Sequence, residues 1–360
     1  MKIGIIGCGN IVGAYITHSK QFVDIIQIAA VADVDIERAK AAAEKIGPET
    51  KACSVEEILA IPEIEIIVNL TPPKAHAGVA MQILSAGKHA YNEKPLAIDR
   101  EDAQKMLTFA KEKGLRIGCA PDTFLGPGIQ TAMKALDDGL IGFPVAAFAQ
   151  MAGHGMEGWH PNPEFFYQYG GGPMFDIGPY ILTALVTMLG PVKRITGSAK
   201  ISFPERVITS KERYGTKFNV EVPTHITGTL DFANGAIATI ITSFDMWRNE
   251  LPRIEIYGSL GTLSVPDPNQ FMGEVKMWRP EVGEWEVIPL LDTRESTGRI
   301  IGVADMACAI RDGRPHRANS DVAYHVLDLM HAIHDASADG EHKLLSSTCE
   351  RPMPLLDELK

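Results

Sequence analysis

Residues 2–13 read Lys2-Ile3-Gly4-Ile5-Ile6-Gly7-Cys8-Gly9-Asn10-Ile11-Val12-Gly13. A short apolar, β-rich run ends at once in G-x-G, and helical character follows to about Phe22. A strand that turns through glycines into a helix lets the backbone approach a pyrophosphate. The helix N-terminus then offers unpaired N–H groups and the positive end of its dipole. Working outward, Ile25 to Ala32 is a second strand-like run that closes on Asp33, 24 residues after Gly9. A carboxylate there accepts hydrogen bonds from both adenosine-ribose hydroxyls and repels a 2′-phosphate, which selects NAD over NADP. The third glycine of the fingerprint belongs at position 12, which is Val12; Gly13 comes one residue late. Gly7, Gly9, Asn10, Ile11 and Asp33 are the candidate cofactor-binding residues of this stretch.

Strand and helix alternate through the rest of the first third. Asp35 is placed to cap a helix over 36–45, whose alanine and charge content favours that state. Ile64 to Leu70 is an unbroken apolar run, the pattern of a parallel strand buried on both faces. Gly87 to Tyr91 and Leu115 to Cys119 read as two more strands, and 76–86 and 100–113 as helices. The expectation is a doubly wound, parallel α/β domain over residues 1–121.

The chain has 360 residues, a length that favours two domains. Its formal charge is −11, from 34 Lys+Arg and 45 Asp+Glu, and it has no long basic run. Nucleic acid and anionic membrane are therefore excluded as partners. No window approaches 18 consecutive apolar residues, so no membrane span is expected. The five cysteines (Cys8, Cys53, Cys119, Cys308, Cys349) are odd in number and scattered, without C-x-x-C. That fits a reducing, cytoplasmic setting, and no metal site is expected.

Two segments follow strands at the ligand edge of such a sheet. One is Thr71-Pro72-Pro73-Lys74-Ala75-His76; the other is Glu93-Lys94-Pro95. A lysine fixed in the second can reach a bound substrate. Together with Gly170-Gly171-Gly172-Pro173-Met174-Phe175-Asp176-Ile177-Gly178-Pro179-Tyr180, these blocks resemble the glucose–fructose oxidoreductase / inositol dehydrogenase / MocA family, across essentially the whole chain. The resemblance implies an N-terminal Rossmann domain and, over 122–360, a substrate-binding and oligomerisation α/β domain on a large, mostly antiparallel open sheet. It also implies a homo-oligomer, dimer or tetramer, and adds Thr71, Pro72, His76, Glu93 and Lys94 to the cofactor-binding residues. The second half reads as β-rich on its own: Thr224 to Leu230 and Ala236 to Phe244 flank the hairpin signal Asn234-Gly235, and four short strands follow between 254 and 288. Helices are expected at 127–138, 178–189, 298–312 and 320–337.

By the same resemblance, Lys94, Asp176 and Tyr180 are the catalytic residues. Asp176 and Tyr180 are four apart, and share one face if a helix begins near Asp176. Many relatives carry histidine where this chain has Tyr180, which argues against an inositol substrate. Loss of hydride from a carbinol carbon needs its hydroxyl proton removed in step. A phenol, with a pKa of about 10, serves as that base only beside positive charge, which the Lys94 ammonium and NAD⁺ supply. Lys94 as the base is the alternative, since coupled groups titrate as a unit. The competing structural explanations are a helix cap for Asp176 and core packing for Tyr180. The loop His154-Gly155-Met156-Glu157-Gly158-Trp159-His160 offers a stacking face at Trp159 and hydrogen bonds at His154 and His160. With Asp122, these are the candidate substrate residues. His325, His331 and His334 share a helix, but their spacing does not converge on a metal.

Three functions compete. The first is an NAD-dependent oxidoreductase acting on a hydroxyl of a sugar, cyclitol or sugar derivative. The second is a glycoside hydrolase that oxidises C3 transiently and eliminates the aglycone. The third is a dinucleotide-sensing regulator without catalysis. The carboxylate of Asp33 predicts tighter binding of NADH than of NADPH by titration of cofactor fluorescence; preference for NADPH would overturn that reading of the strand end.

Overall fold

The computed structural model describes residues 1–292 and 298–355. The chain runs β1 (Lys2–Ile6), α1 (Val12–Ser19), β2 (Gln27–Ala32), α2 (Ile36–Ile46), β3 (Lys51–Cys53), α3 (Val55–Leu59), β4 (Ile64–Asn69), α4 (His76–Ser85), β5 (His89–Asn92), α5 (Arg100–Lys113) and β6 (Ile117–Cys119). These six strands form one parallel sheet in the order β3-β2-β1-β4-β5-β6. Reversal of the strand order beside β1 makes the switch point at which such sheets bind ligands. Ile64, Ile66, Ile67 and Val68 of β4 are buried, as expected of a strand covered on both faces. Asp35 caps α2 by accepting the N–H of Glu37. The short pair β3 and α3 was not foreseen.

The remainder comprises α6 (Pro127–Asp137), β7 (Pro144–Ala152), α7 (Gly172–Asp176), α8 (Gly178–Leu189), β8 (Val192–Lys200), β9 (Glu205–Val207), β10 (Lys217–Asn219), β11 (His225–Phe232), β12 (Ile237–Ser243), β13 (Ile254–Gly258), β14 (Thr262–Val265), β15 (Val275–Trp278), β16 (Trp285–Ile288), α9 (Ile301–Arg311), α10 (Ser320–Asp339) and β17 (Lys343–Leu344). Nine strands make a sheet in the order β16-β15-β14-β13-β7-β12-β11-β8-β17, antiparallel except for β7 with β12. The fold class is thus the expected one. On β11 alternate residues are buried, ending in Leu230 and Phe232. Gly228 of β11 and Gly197 of β8 face each other in register. A Cβ on either would stand 2.5 Å from the Ile333 side chain, so this glycine pair makes the groove in which α10 lies. The hairpin turn falls at Asn234-Gly235, where Gly235 has φ +95° and Asn234 accepts the N–H of Ala236.

Two compact units emerge. The first takes Met1–Pro127 with Asp292–Tyr324 and Pro352–Lys360; the second takes Gly128–Leu291 with His325–Arg351. The expected cut after residue 121 describes only the chain's first passage. The later segment returns because Cys119 donates its N–H to the Ala318 carbonyl and Gly118 bridges to Asn319, so that α9 completes the first unit.

In the second unit a buried ionic cluster shapes the loop between β7 and α7. Arg206, on β9, donates to Glu157 at 2.8 Å, to the Phe244 carbonyl at 2.9 Å and to Asp245. Tyr167 donates to the other oxygen of Glu157 at 2.8 Å, and Thr224 to the other oxygen of Asp245 at 2.7 Å. The guanidinium lies over the rings of Tyr167 and Phe203. Tyr167 also belongs to a core with Val220 and Phe244, against which Ile177 packs. Burying three charges is tolerable only while each is matched. Replacing Arg206 with Met leaves two carboxylates uncompensated and is expected to cost about 3–5 kcal/mol, read as a lowered urea midpoint; an unchanged midpoint would refute this account of the loop.

Candidate active site

At the end of β1 the chain turns through Gly7, whose φ is +100°. A Cβ there would lie 2.6 to 2.8 Å from the backbone of Leu70 and Thr71, so only glycine passes. Gly9 is different: a Cβ on it would meet nothing within 4 Å. The protein itself does not demand glycine at this exposed crest, whereas a group laid against the backbone does. Asn10 is exposed and Ile11 half-buried beside it. The N-terminus of α1 has no side-chain cap and no acidic residue in its first turn, which suits a phosphate. The carboxylate of Asp33 accepts the Cys8 N–H at 2.7 Å and the Asp35 N–H at 2.9 Å, and stays partly open to solvent. It is thereby fastened to the glycine loop with acceptor capacity to spare. Burial and Asp33 push the Cys8 thiol up to about 12, so it stays protonated. These residues fit a dinucleotide without a 2′-phosphate.

Behind the glycine loop lies a polar ladder that the sequence reading missed. Asn69 and Asn92 end β4 and β5 and face each other in register. Asn69 donates to Asn92 at 3.1 Å and to the His76 carbonyl at 3.0 Å, and accepts from the Thr71 hydroxyl at 2.6 Å. Asn92 donates to the Leu96 carbonyl at 3.1 Å. The available signal was an asparagine closing each of two apolar strands. His76 is fully buried; its Nδ1 lies 2.7 Å from the Pro95 carbonyl and its Nε2 2.8 Å from that of Thr71. Burial outweighs the pull of both carbonyls and Glu93 and holds its pKa below the usual histidine range. The side chains of Thr71 and His76 are thus spent on bracing the two loops, while Pro72 stays exposed.

Glu93 is likewise turned inward. It accepts the Tyr15 hydroxyl at 2.9 Å and the Lys94 N–H at 2.8 Å, with Arg299 at 3.8 Å. Burial opposes its charge, but Arg299, Lys94 and these two bonds hold its pKa below the usual carboxylate range. Asp122 departs further from the substrate role expected for it. It is fully buried and accepts the N–H of Gly302 in the first turn of α9, a capping task. Burial pushes its pKa up to about 6, against Arg299 and the Gly302 bond.

Lys94, half-buried, belongs to the first unit, and Asp176 and Tyr180 to the second. The helix expected over 178–189 is α8, which opens at Gly178 with Pro179 in its first turn; Asp176 lies outside it, ending α7. Ile177 separates them and is the N-cap position of α8, so Asp176 does not cap that helix. Tyr180 is buried near the start of α8. In the preceding loop Trp159 is 65% exposed, and His160 meets it edge-on while accepting the Asn162 N–H. His154 stacks on Trp247 with ring centroids 3.3 Å apart. His325 accepts the Val192 N–H and faces Ser347, while His331 and His334 lie against Phe175. Among the described residues no group of three or more His, Cys, Asp or Glu is arranged to hold a metal. No helix there is long and apolar enough to cross a membrane.

Residues 1–120 match the model described as "Oxidoreductase family, NAD-binding Rossmann fold", and 129–264 the "GFO/IDH/MocA C-terminal domain". Among curated proteins, the chain is 26% identical to levoglucosan dehydrogenase of Pseudarthrobacter phenanthrenivorans, over 65% of this chain and 63% of that protein, under two thirds of its length. It is 26% identical to D-glucoside 3-dehydrogenase of Escherichia coli, over 68% of this chain and 70% of that protein. Among solved structures, an NAD binding oxidoreductase from Klebsiella pneumoniae superposes with TM-score 0.83 at 21% identity, over 96% of this chain and 99% of that one. Levoglucosan dehydrogenase in complex with NADH and L-sorbose gives 0.82 at 21%, with the same coverage. With an NAD-binding Rossmann unit followed in series by the family's own C-terminal domain, the chain belongs to the GFO/IDH/MocA family of oxidoreductases.

Proposed function

We propose that the protein is an NAD-dependent dehydrogenase that oxidises a secondary or anomeric hydroxyl of a sugar or glycoside. The observation that carries this reading is the loop of Lys94, gripped through Glu93, His76 and Asn92 beside a glycine loop that accepts a dinucleotide. Bound NAD⁺ supplies the hydride acceptor. Lys94 holds the reacting oxygen, Tyr180 takes its proton, and Asp176 orients the pair. Trp159 offers an aromatic face to the apolar side of a pyranose, and His154 and His160 offer hydrogen bonds to its hydroxyls. The names of two relatives, levoglucosan dehydrogenase and D-glucoside 3-dehydrogenase, favour a sugar whose anomeric carbon is substituted.

A panel of levoglucosan, methyl glucosides, free aldoses and inositols, assayed with NAD⁺, tests the reading. Net NADH formation from one of the sugars is expected. Glycoside cleavage without NADH accumulation, with exchange of the C2 hydrogen, would transfer the site to a redox-assisted hydrolase. No turnover on any member would favour a dinucleotide-sensing regulator. Tyr180→Phe is expected to lower turnover at least about tenfold with NADH binding retained; near-wild-type turnover would remove Tyr180 from the chemistry.

We infer further that the chain works in a reducing compartment, the setting that its five scattered, buried cysteines suit, and that it assembles as a dimer or tetramer. The open face of the nine-stranded sheet, with Ile237 half-exposed on β12, is the surface for that contact. Light scattering is expected to give a multiple of the 39.1 kDa chain mass, lowered by Ile237→Lys; a monomeric wild type would contradict this.

A further inference from the structure

Tyr15 lies outside every motif, yet it is fully buried and its hydroxyl ends on Glu93. It stands on α1, the helix that opens from the glycine loop. The other oxygen of Glu93 receives the N–H of Lys94 itself. Arg299 completes the cluster as counter-charge. The backbone after Arg299 is strained: Ile300, β-branched and fully buried, has φ +83°, a conformation that such residues rarely adopt. One turn after Tyr15, His18 faces Gly298, where a Cβ would run into its ring. Helix α1 therefore meets the 298–300 segment at His18 and reaches Glu93 at Tyr15.

We propose that Tyr15, acting through Glu93 with Arg299 as counter-charge, is a positioning residue for Lys94. The assignment rests on the reading of Lys94 as catalytic. An O–H to carboxylate bond is of the strong, charge-assisted kind. With Tyr15 and the Lys94 N–H on separate oxygens, the Glu93 carboxylate cannot rotate without breaking one bond. The backbone at Lys94 is thereby referenced to the helix whose first turn receives the dinucleotide. His76 and Asn92 hold the next two carbonyls, those of Pro95 and Leu96, so the loop is fixed from both sides. Glu93→Gln preserves the shape and removes the charge, whereas Tyr15→Phe preserves the charge and releases the carboxylate.

The test compares Tyr15→Phe, Glu93→Gln, the double variant and Lys94→Ala in the full chain. Readouts are turnover with levoglucosan or whichever panel sugar is active, NADH affinity by fluorescence titration, thermal midpoint, and hydrogen–deuterium exchange of peptides spanning 91–97. Tyr15→Phe is expected to lower kcat about tenfold to a hundredfold, with KM and NADH Kd within about twofold and faster exchange at 91–97. The double variant is expected to be no worse than the worse single one, because both break one unit. Exchange at 91–97 unchanged in both single variants would overturn the proposal whatever the sugar. So would an unchanged kcat with only a lowered thermal midpoint, or NADH affinity lost in step with kcat. Full turnover by Lys94→Ala would sink the catalytic reading and this proposal with it. An inactive Lys94→Ala beside fully active Tyr15→Phe and Glu93→Gln would sink the positioning role alone.

Discussion

Where the chain leaves a parallel sheet, its backbone N–H groups lose their ladder partners and must find others. At two strand ends of the first unit the partner is a carboxylate, and a third carboxylate serves the start of a helix. Asp33, after β2, takes the N–H of Cys8; Glu93, after β5, takes that of Lys94; Asp122, after β6, takes that of Gly302. These bonds hold the glycine loop, the lysine loop and the start of α9 at one edge of the sheet. A carboxylate accepting from N–H groups makes a stronger bond than a neutral acceptor, at the cost of burying charge. Arg299 offsets part of that cost for Glu93 and Asp122. The acidity of the chain is thus partly interior and structural, which is why net charge says little about the ligand.

The second unit solves a similar problem with the opposite sign at its centre. Arg206 gathers Glu157 and Asp245 from two segments and bonds a carbonyl as well. Its role is conformational: Glu157 also accepts from Tyr167 through its side chain and from Thr209 and Ser210 through its backbone. A loop of Gly, Pro and aromatic residues, with no ladder of its own, is fixed at both ends before the chain enters α7. The break at Ile177 follows from Pro179, which has no N–H to continue the helix from α7, and Ile177 itself packs on the core of Tyr167, Val220 and Phe244.

The centre of the parallel sheet was legible because β1, β2 and β4 are largely apolar and alternate with helical stretches. Strand β8 was not. Of its nine residues only Val192 and Ile195 are buried, and Gly197 gives its place to Ile333. A strand that yields its core position to a helix leaves no alternating pattern to read. At the strand ends the direction of each side chain was not written in its type. His76, Glu93 and Asp122 were read as facing ligand, and all three face backbone. Tyr15 was invisible for the complementary reason: a tyrosine on the buried side of a helix reads as core, and its hydroxyl partner lies 78 residues away.

Braced and exposed residues are therefore separable on physical grounds. The groups that brace Lys94 are buried and bonded on both sides, so changing one disturbs its neighbours. Trp159 is 65% exposed and Trp247 83%, and they sit on loops whose conformation is set elsewhere, by Arg206 and its partners. Substituting an exposed side chain on a preset loop costs the fold little. A frame of this kind keeps hydride chemistry constant as the recognised hydroxyl changes, which accounts for a family whose members share the cofactor site and differ in the sugar they are named for.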